Sequence, residues 1–351
     1  MRHGWWIGVA ASVSLVVGIE AAERGPNQGA FQLQAPVGLP DVPVPADNPL
    51  TADKIELGKK LFFDKRLSKD GSASCETCHV PEKGWTDGLK FSTKVGGEVN
   101  TRHTPTLYNV AYYPNLYWDG RAAGLEKQIV AAWKSQMGAD PDAIAKKLAE
   151  IPVYKKAFEQ SMGGPPTGDT VVKAIACFVR TILSGDSPWD LFEHGDEKAI
   201  SKDAAAGFEV FKDAANCTLC HAPPYITDTL FHNVGIGFDT DKPDLGRGKI
   251  VADLAAKENR QLTPDEEKLK GAFKTPGLRE ISRRSPYMHD GSIATLEEVV
   301  DHYDRGGTDR PSRSDLIKPL GLTSQEKSDL VAFLRTLNSD LTPTAVPVLP
   351  R

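Results

Sequence analysis

The sequence predicts a mostly α fold of two similar halves with long loops. Three observations predict it. Apolar residues recur at helical spacing in several segments, while strand signals are few. A short amphipathic stretch followed by Cys-x-x-Cys-His occurs twice, at Cys75-Glu76-Thr77-Cys78-His79 and at Cys217-Thr218-Leu219-Cys220-His221. Each copy is followed by a long polar stretch without sustained periodicity, which in a compact domain is usually functional.

Taken in order, Arg2, the apolar run over 5–17 and the pair Ala21-Ala22 read as an export signal over residues 1–22. Glu20 fits a cleavage site poorly, so an uncleaved anchor is the alternative; no later stretch approaches the length of a membrane span. Residues 23–49, rich in Pro, Gly and Asn, read as an extended lead-in over the surface. Leu57, Leu61 and Phe62 place a short helix over 55–63, just before the first motif. Residues 84–117 are turn-rich. Helices follow over 125–137, 141–150 and 171–183, with Gly163-Gly164-Pro165-Pro166 as a break. Residues 184–196 read as a connection, dividing the chain into halves at 50–190 and 191–345. A helix over 203–211 leads into the second motif and repeats the layout before Cys75, so the chain reads as a duplication. After an irregular stretch over 222–249, Thr295-x-x-Glu298 and Thr323-x-x-Glu326 form capping boxes that open helices running through Tyr303 and Leu337.

At 351 residues, with 40% hydrophobic and 25% charged residues, the chain has ordinary globular composition. A net charge of −5 and a pI near 5.9 argue against nucleic-acid binding, which calls for a basic patch. Four of the five cysteines belong to the two motifs. The fifth, Cys177, lies in an apolar helical run and reads as a buried, inert thiol.

Cys-x-x-Cys-His is the attachment signature of c-type haem. Two thiols add across the two vinyl groups of a porphyrin, and the adjacent His supplies an axial nitrogen to iron. Cys75, Cys78 and His79 would hold one covalent haem; Cys217, Cys220 and His221 would hold another. A structural zinc site built from both Cys pairs is the alternative, but it leaves each following His without a purpose. Covalent haem is attached outside the cytoplasm in bacteria, which fits the export signal and a periplasmic or cell-surface protein.

Several phrases between the motifs carry a resemblance: Arg102-His103-Thr104-Pro105-Thr106-Leu107, Trp118-Asp119-Gly120-Arg121-Ala122, Ser187-Pro188-Trp189-Asp190, Lys274-Thr275-Pro276-Gly277-Leu278-Arg279 and Pro286-Tyr287-Met288-His289-Asp290-Gly291. In order and spacing the chain resembles the bacterial di-haem cytochrome c peroxidase family, and within it the MauG-like branch. The resemblance implies two cytochrome-c-like domains with one covalent haem each. The N-terminal haem meets hydrogen peroxide and the C-terminal haem transfers electrons. A tryptophan assists electron sharing between them, at the position of Trp118, whose plain alternative is core packing.

The resemblance also locates departures. Where conventional members have a Met ligand to the second haem, this chain has Tyr303, as MauG-like members do; His302 and Met288 are the alternative ligands, and a buried, hydrogen-bonded Tyr303 is the plain reading. A phenolate favours ferric over ferrous iron. The removable distal His of conventional members would fall near Val95, and residues 91–102 contain no His, so the first haem is expected to have an open sixth site. The family's distal Gln matches Gln128. Its distal Glu falls at Gln136, and an amide is no acid–base group at neutral pH; Glu126 or Asp140 could reach in instead, and a solvated helix face is the plain reading of both glutamines. The family's interface calcium implies backbone carbonyls at Thr275 and Gly277. His103, however, replaces an Asn ligand, and imidazole suits calcium poorly. His103 could hydrogen-bond a haem propionate or simply pack. His194 reads as a surface residue, and His232 as a neighbour of the second haem.

Three functions follow as expectations. The first is an exported enzyme that uses peroxide to oxidise a Trp or Tyr of a partner protein by long-range electron transfer. The second is a peroxidase fed by a small electron-carrier protein. The third is a non-catalytic haem electron-transfer protein, which only Gln136 supports.

Overall fold

The computed structural model describes residues 31–237 and 242–351, so the export signal and the start of the lead-in lie outside the described residues. The helices are α1 (Ala52–Phe63), α2 (Leu125–Met137), α3 (Pro141–Ala149), α4 (Pro152–Met162), α5 (Gly168–Val179), α6 (Pro188–Glu193), α7 (Lys202–Lys212), α8 (Gly246–Lys257), α9 (Pro264–Glu267), α10 (Leu296–Asp304) and α11 (Ser324–Thr336). The strands are two-residue pieces. β1 (Asn115–Leu116) pairs antiparallel with β2 (Ala122–Ala123), and β3 (Phe231–His232) with β4 (Phe273–Lys274), Phe231 opposite Lys274.

The chain folds around two apolar cores. One gathers Leu57, Leu61, Phe62, Trp85, Trp133 and Phe178. The other gathers Trp189, Phe208, Phe211, Val300, Phe333 and Leu334. Each is built on a helix crossing that repeats. α1 crosses α5 at Gly58, where a methyl group would run into the Ala174 carbonyl; α7 crosses α11 at Gly207, where one would run into the Asp329 carbonyl. In both halves the glycine helix is the one that delivers the chain to a Cys-x-x-Cys-His motif.

Capping residues set where helices start. Thr167, Ser187, Thr295 and Thr323 each form a reciprocal box with the third helical residue. The expected helix over 171–183 ends earlier, at Val179. Asn109 takes over there: its backbone N–H donates to the Ile182 carbonyl, and its side chain bonds both the N–H and the carbonyl of Ser184. The stretch expected as a bare connection over 184–196 contains α6.

The halves are tied together in several places. The lead-in crosses both: the Asn48 amide donates to Glu126, Tyr112 donates to the Pro40 carbonyl, and Arg279 donates to the Gly38 carbonyl. Within the second core's own half, Asp190 on α6 and Arg279 form a two-bond ion pair of 2.6 and 2.8 Å. Arg102 joins Asp119 to Asp244. The C-terminal tail returns to the first core, where Leu341 and Leu349 pack and the Pro350 carbonyl accepts from Arg66.

Candidate active site

Each motif closes a single turn that turns both thiols and the imidazole towards one space. The His79 N–H donates to the Cys75 carbonyl, and the His221 N–H to that of Cys217. The rings are oriented by backbone. His79 Nδ1 lies 2.9 Å from the Trp85 carbonyl and His221 Nδ1 lies 3.1 Å from that of Ile226. A carbonyl can only accept, so Nδ1 carries the proton and Nε2 is left bare as a metal ligand. Burial lowers the pKa of both imidazoles, His221 to about 4, which keeps them neutral.

Both motifs open into one cavity of about 1150 Å³. Its walls include Cys75, Cys78 and His79 of the first motif, Cys217, Cys220 and His221 of the second, and Trp118. Two thiol pairs, each beside an imidazole with a bare nitrogen, on a shared and largely apolar cavity, fit two covalent haems. A shared zinc site does not fit. Among the described residues the only close ligand cluster is Cys220, Asp228 and His232, which includes no second cysteine.

Around the first motif the cavity is lined by Val95, Gln128, Ile129, Ala132, Trp133 and Gln136. The Val95 N–H donates to the Gln136 carbonyl at 2.8 Å, which ties this wall to the end of α2. The Gln136 side-chain oxygen accepts from Asn100 at 2.8 Å, so its amide is held rather than solvated. Gln128 lines the same wall. The two carboxylates considered as substitutes are committed elsewhere. Glu126 pairs with Arg180 at 2.7 Å, and Asp140 caps α3; neither lines the cavity.

Around the second motif, Tyr303 lines the cavity and makes no hydrogen bond through its hydroxyl among the described residues. The plain reading of a buried, satisfied tyrosine is therefore not what the fold presents. Burial, with Cys217 and Cys220 adding to it, raises the phenol pKa. His302 is tied away from the cavity: Nε2 lies 2.9 Å from the Val234 carbonyl and Nδ1 lies 3.4 Å from Arg305. Met288 lines the cavity from a turn with φ of 73°.

Trp118 occupies the seam. Its ring N–H donates to the His103 carbonyl at 2.8 Å, and its own carbonyl accepts from the Lys274 N–H at 2.7 Å, so its position depends on both halves. The His103 N–H donates to the His289 carbonyl at 2.7 Å. Nε2 of each of these two buried histidines lacks a partner. The carbonyls named for calcium are already engaged. That of Thr275 accepts from the Thr227 hydroxyl at 2.7 Å, and that of Gly277 from the Arg284 guanidinium at 2.6 Å. A cation donor on the second oxygen argues against a calcium ion there. Cys177 is fully buried beside Asn48, its thiol pushed up to about 11 by burial. His194 is turned onto the Asp190 carbonyl, and His232 pairs with Asp228 at 2.8 Å on the cavity wall. Sequence reading did not single out Lys274, Arg284 or His289 individually, although all three lie in or near the quoted phrases and line the cavity.

Comparison with known proteins agrees with this geometry. Residues 52–198 match the family described as di-haem cytochrome c peroxidase. The methylamine utilization protein MauG of Methylorubrum extorquens is 41% identical over 313 residues, covering 88% of this chain and 85% of that one. The chain belongs to the di-haem cytochrome c peroxidase family. Family membership carries peroxide-dependent oxidoreductase chemistry and two c-type haems. Cytochrome-c peroxidase IdrP1 of Denitromonas iodatirespirans is 37% identical over 361 residues, covering 96% and 94% of the two chains. Among solved structures, a MauG-like protein associated with microbial copper homeostasis superposes with a TM-score of 0.79 at 32% identity, covering 89% of this chain and 96% of that one. Among the described residues no helix is long and apolar enough to cross a membrane.

Proposed function

We propose that this protein is an exported, periplasmic or cell-surface enzyme of the MauG-like kind. It uses hydrogen peroxide at the first motif to oxidise an aromatic side chain of a partner protein at a distance. The observation that carries the reading is Tyr303: a phenol on the cavity wall beside the second motif, without a hydrogen bond among the described residues, while His302 is held elsewhere. Its relatives named MauG and the solved MauG-like structure support the same direction.

When bound, the two haems supply one-electron redox chemistry and the iron at which peroxide is cleaved. The residues of the chain do the rest. Cys75, Cys78, Cys217 and Cys220 would fix the groups covalently, and His79 and His221 would hold the irons through Nε2. Val95 leaves space where a side-chain ligand would stand. Gln128 and Gln136 orient peroxide by hydrogen bonds; neither is a proton carrier, so the proton moves through water. Tyr303, with its proton given up to solvent, would offer a phenolate oxygen to the iron of the haem on the second motif. Trp118 bridges the two sites electronically. The reaction balances as one hydrogen peroxide, two protons and two electrons giving two waters, with both electrons drawn from the partner. The halves 50–190 and 191–345 serve as the peroxide domain and the electron-transfer domain. Calcium is not part of this reading.

The test is to incubate the holoenzyme and peroxide with the protein encoded beside it and to map the partner's Trp and Tyr residues by mass spectrometry. New oxidation confined to one or two aromatic residues is expected; a partner recovered unmodified contradicts the proposal. A second reading, a peroxidase fed by a small electron-carrier protein, is favoured by the IdrP1 relative. Rapid, repeated oxidation of a reduced cytochrome or cupredoxin by peroxide would select it.

A further inference from the structure

Half-buried Lys274 and buried Arg284 both line the cavity, and among the described residues neither is paired with a carboxylate. Lys274 comes from β4, and its ammonium lies 4.7 Å over the Tyr113 ring. Among the described residues that ammonium makes no ion pair or hydrogen bond. Arg284, 7% exposed, spends its guanidinium on two carbonyls, those of Gly277 and Glu280. The nearby carboxylates are taken: Glu280 by Arg283 at 3.0 Å, with Ser184 and Ser339, and Asp228 by His232 at 2.8 Å. Holding like charges near one another on a largely apolar wall without a counter-charge is costly, and the structure keeps both. Burial, with the charge of Arg284 adding to it, pulls Lys274 down to about 8, the mark of a cation short of an anion. Both residues line the cavity that also holds His221, and the Lys274 backbone is bonded to Trp118.

We infer that Lys274 and Arg284 are a carboxylate anchor for the propionate side chains of the haem on the second motif, and that they set its reduction potential. The ligand class is a carboxylate pair on a macrocycle, and the two cations neutralise it in a water-poor seam. A fixed positive charge near iron favours the state with the extra electron. Removing one therefore lowers that haem's potential and frees a propionate. This inference rests on haem attachment alone, so its failure leaves the partner-oxidation reading standing.

The test uses the holoenzyme and the variant Lys274→Met, with Lys274→Arg as the conservative control. Haem content and circular dichroism establish folding. Spectroelectrochemical titration is expected to show one of the two potentials lowered and the other in place, and resonance Raman to show altered propionate modes. Lys274→Arg should restore both readouts. Two unchanged potentials and unchanged propionate modes in a fully loaded Lys274→Met protein overturn the inference. If Lys274→Met fails to load haem, Lys274→Arg decides. Loading with a near-wild-type potential supports the anchor, and failure like that of the Met variant assigns the side chain a packing role instead.

Discussion

Asp190→Ala is the substitution whose cost the structure sets most clearly. Asp190 and Arg279 are 1% and 2% exposed at their side chains, and two bonds of 2.6 and 2.8 Å join them. Asp190 also closes the cap of α6 by accepting from the Ser187 N–H and hydroxyl. Removing the carboxylate strands a buried guanidinium, which typically costs about 3–5 kcal/mol, and losing the cap adds about 1 kcal/mol. Arg279 keeps only the carbonyls of Gly38 and Pro224, which cannot neutralise it. A loss of about 4–6 kcal/mol is expected from these two terms in denaturant unfolding of the holoenzyme, followed by far-ultraviolet circular dichroism. The double variant Asp190→Ala/Arg279→Met should recover part of that loss, because it removes the stranded charge. A single-variant loss below about 1 kcal/mol would refute the reasoning, since it would mean that the guanidinium finds water or another anion.

Other outcomes follow from the same geometry. Gly207→Ala should destabilise by about 1–3 kcal/mol through overpacking against the Asp329 carbonyl, although alanine is the better helix former; thermal unfolding measures it. Gln136→Glu restores a carboxyl that Asn100 can still hold. General acid–base groups are worth about 10²–10⁴-fold, so stopped-flow reaction with peroxide should quicken by about tenfold or more. Burial pushes Asp64 upward, but hydrogen bonds from Arg66 and Tyr154 outweigh it and hold its pKa below the usual value. Its contribution is therefore full above the ordinary carboxylate range and is lost as the pH falls through the lowered value. Tyr154→Phe removes a 2.6 Å bond to Asp64 and should move acid unfolding to higher pH.

Much of the architecture was legible because it is written locally. The motif spacing marks the haem sites, and helical patterns mark α1, α2 and α7 near their observed limits. Capping boxes mark the starts of α10 and α11. What was not legible depends on partners distant in sequence. The early end of α5 is decided by Asn109, which no local pattern announces. α4 was missed because only Tyr154 and Phe158 face its core, too few for a periodic signal. α8 opens with Gly246-Arg247-Gly248, which reads as a loop until its packing is seen. At the site, helix position sets His302 one step off the face that carries Tyr303. The Val234 carbonyl, 68 residues away, adds a partner for His302 that no local pattern announces. The suggestions of Glu126 and Asp140 as distal acids fail for the same reason, since Arg180 and the α3 N-terminus claim them.

The central claim is that the fully oxidised enzyme reacts with peroxide directly and shares the oxidising equivalents between both haem sites. Optical and electron paramagnetic resonance spectra before and after one equivalent of peroxide test it most directly. The account predicts one high-spin haem at the start and loss of both ferric signals on addition. Two low-spin haems that need one-electron reduction before they react would contradict it. That result would mean that the Val95 side carries a ligand after all, and that the protein works as a conventional peroxidase.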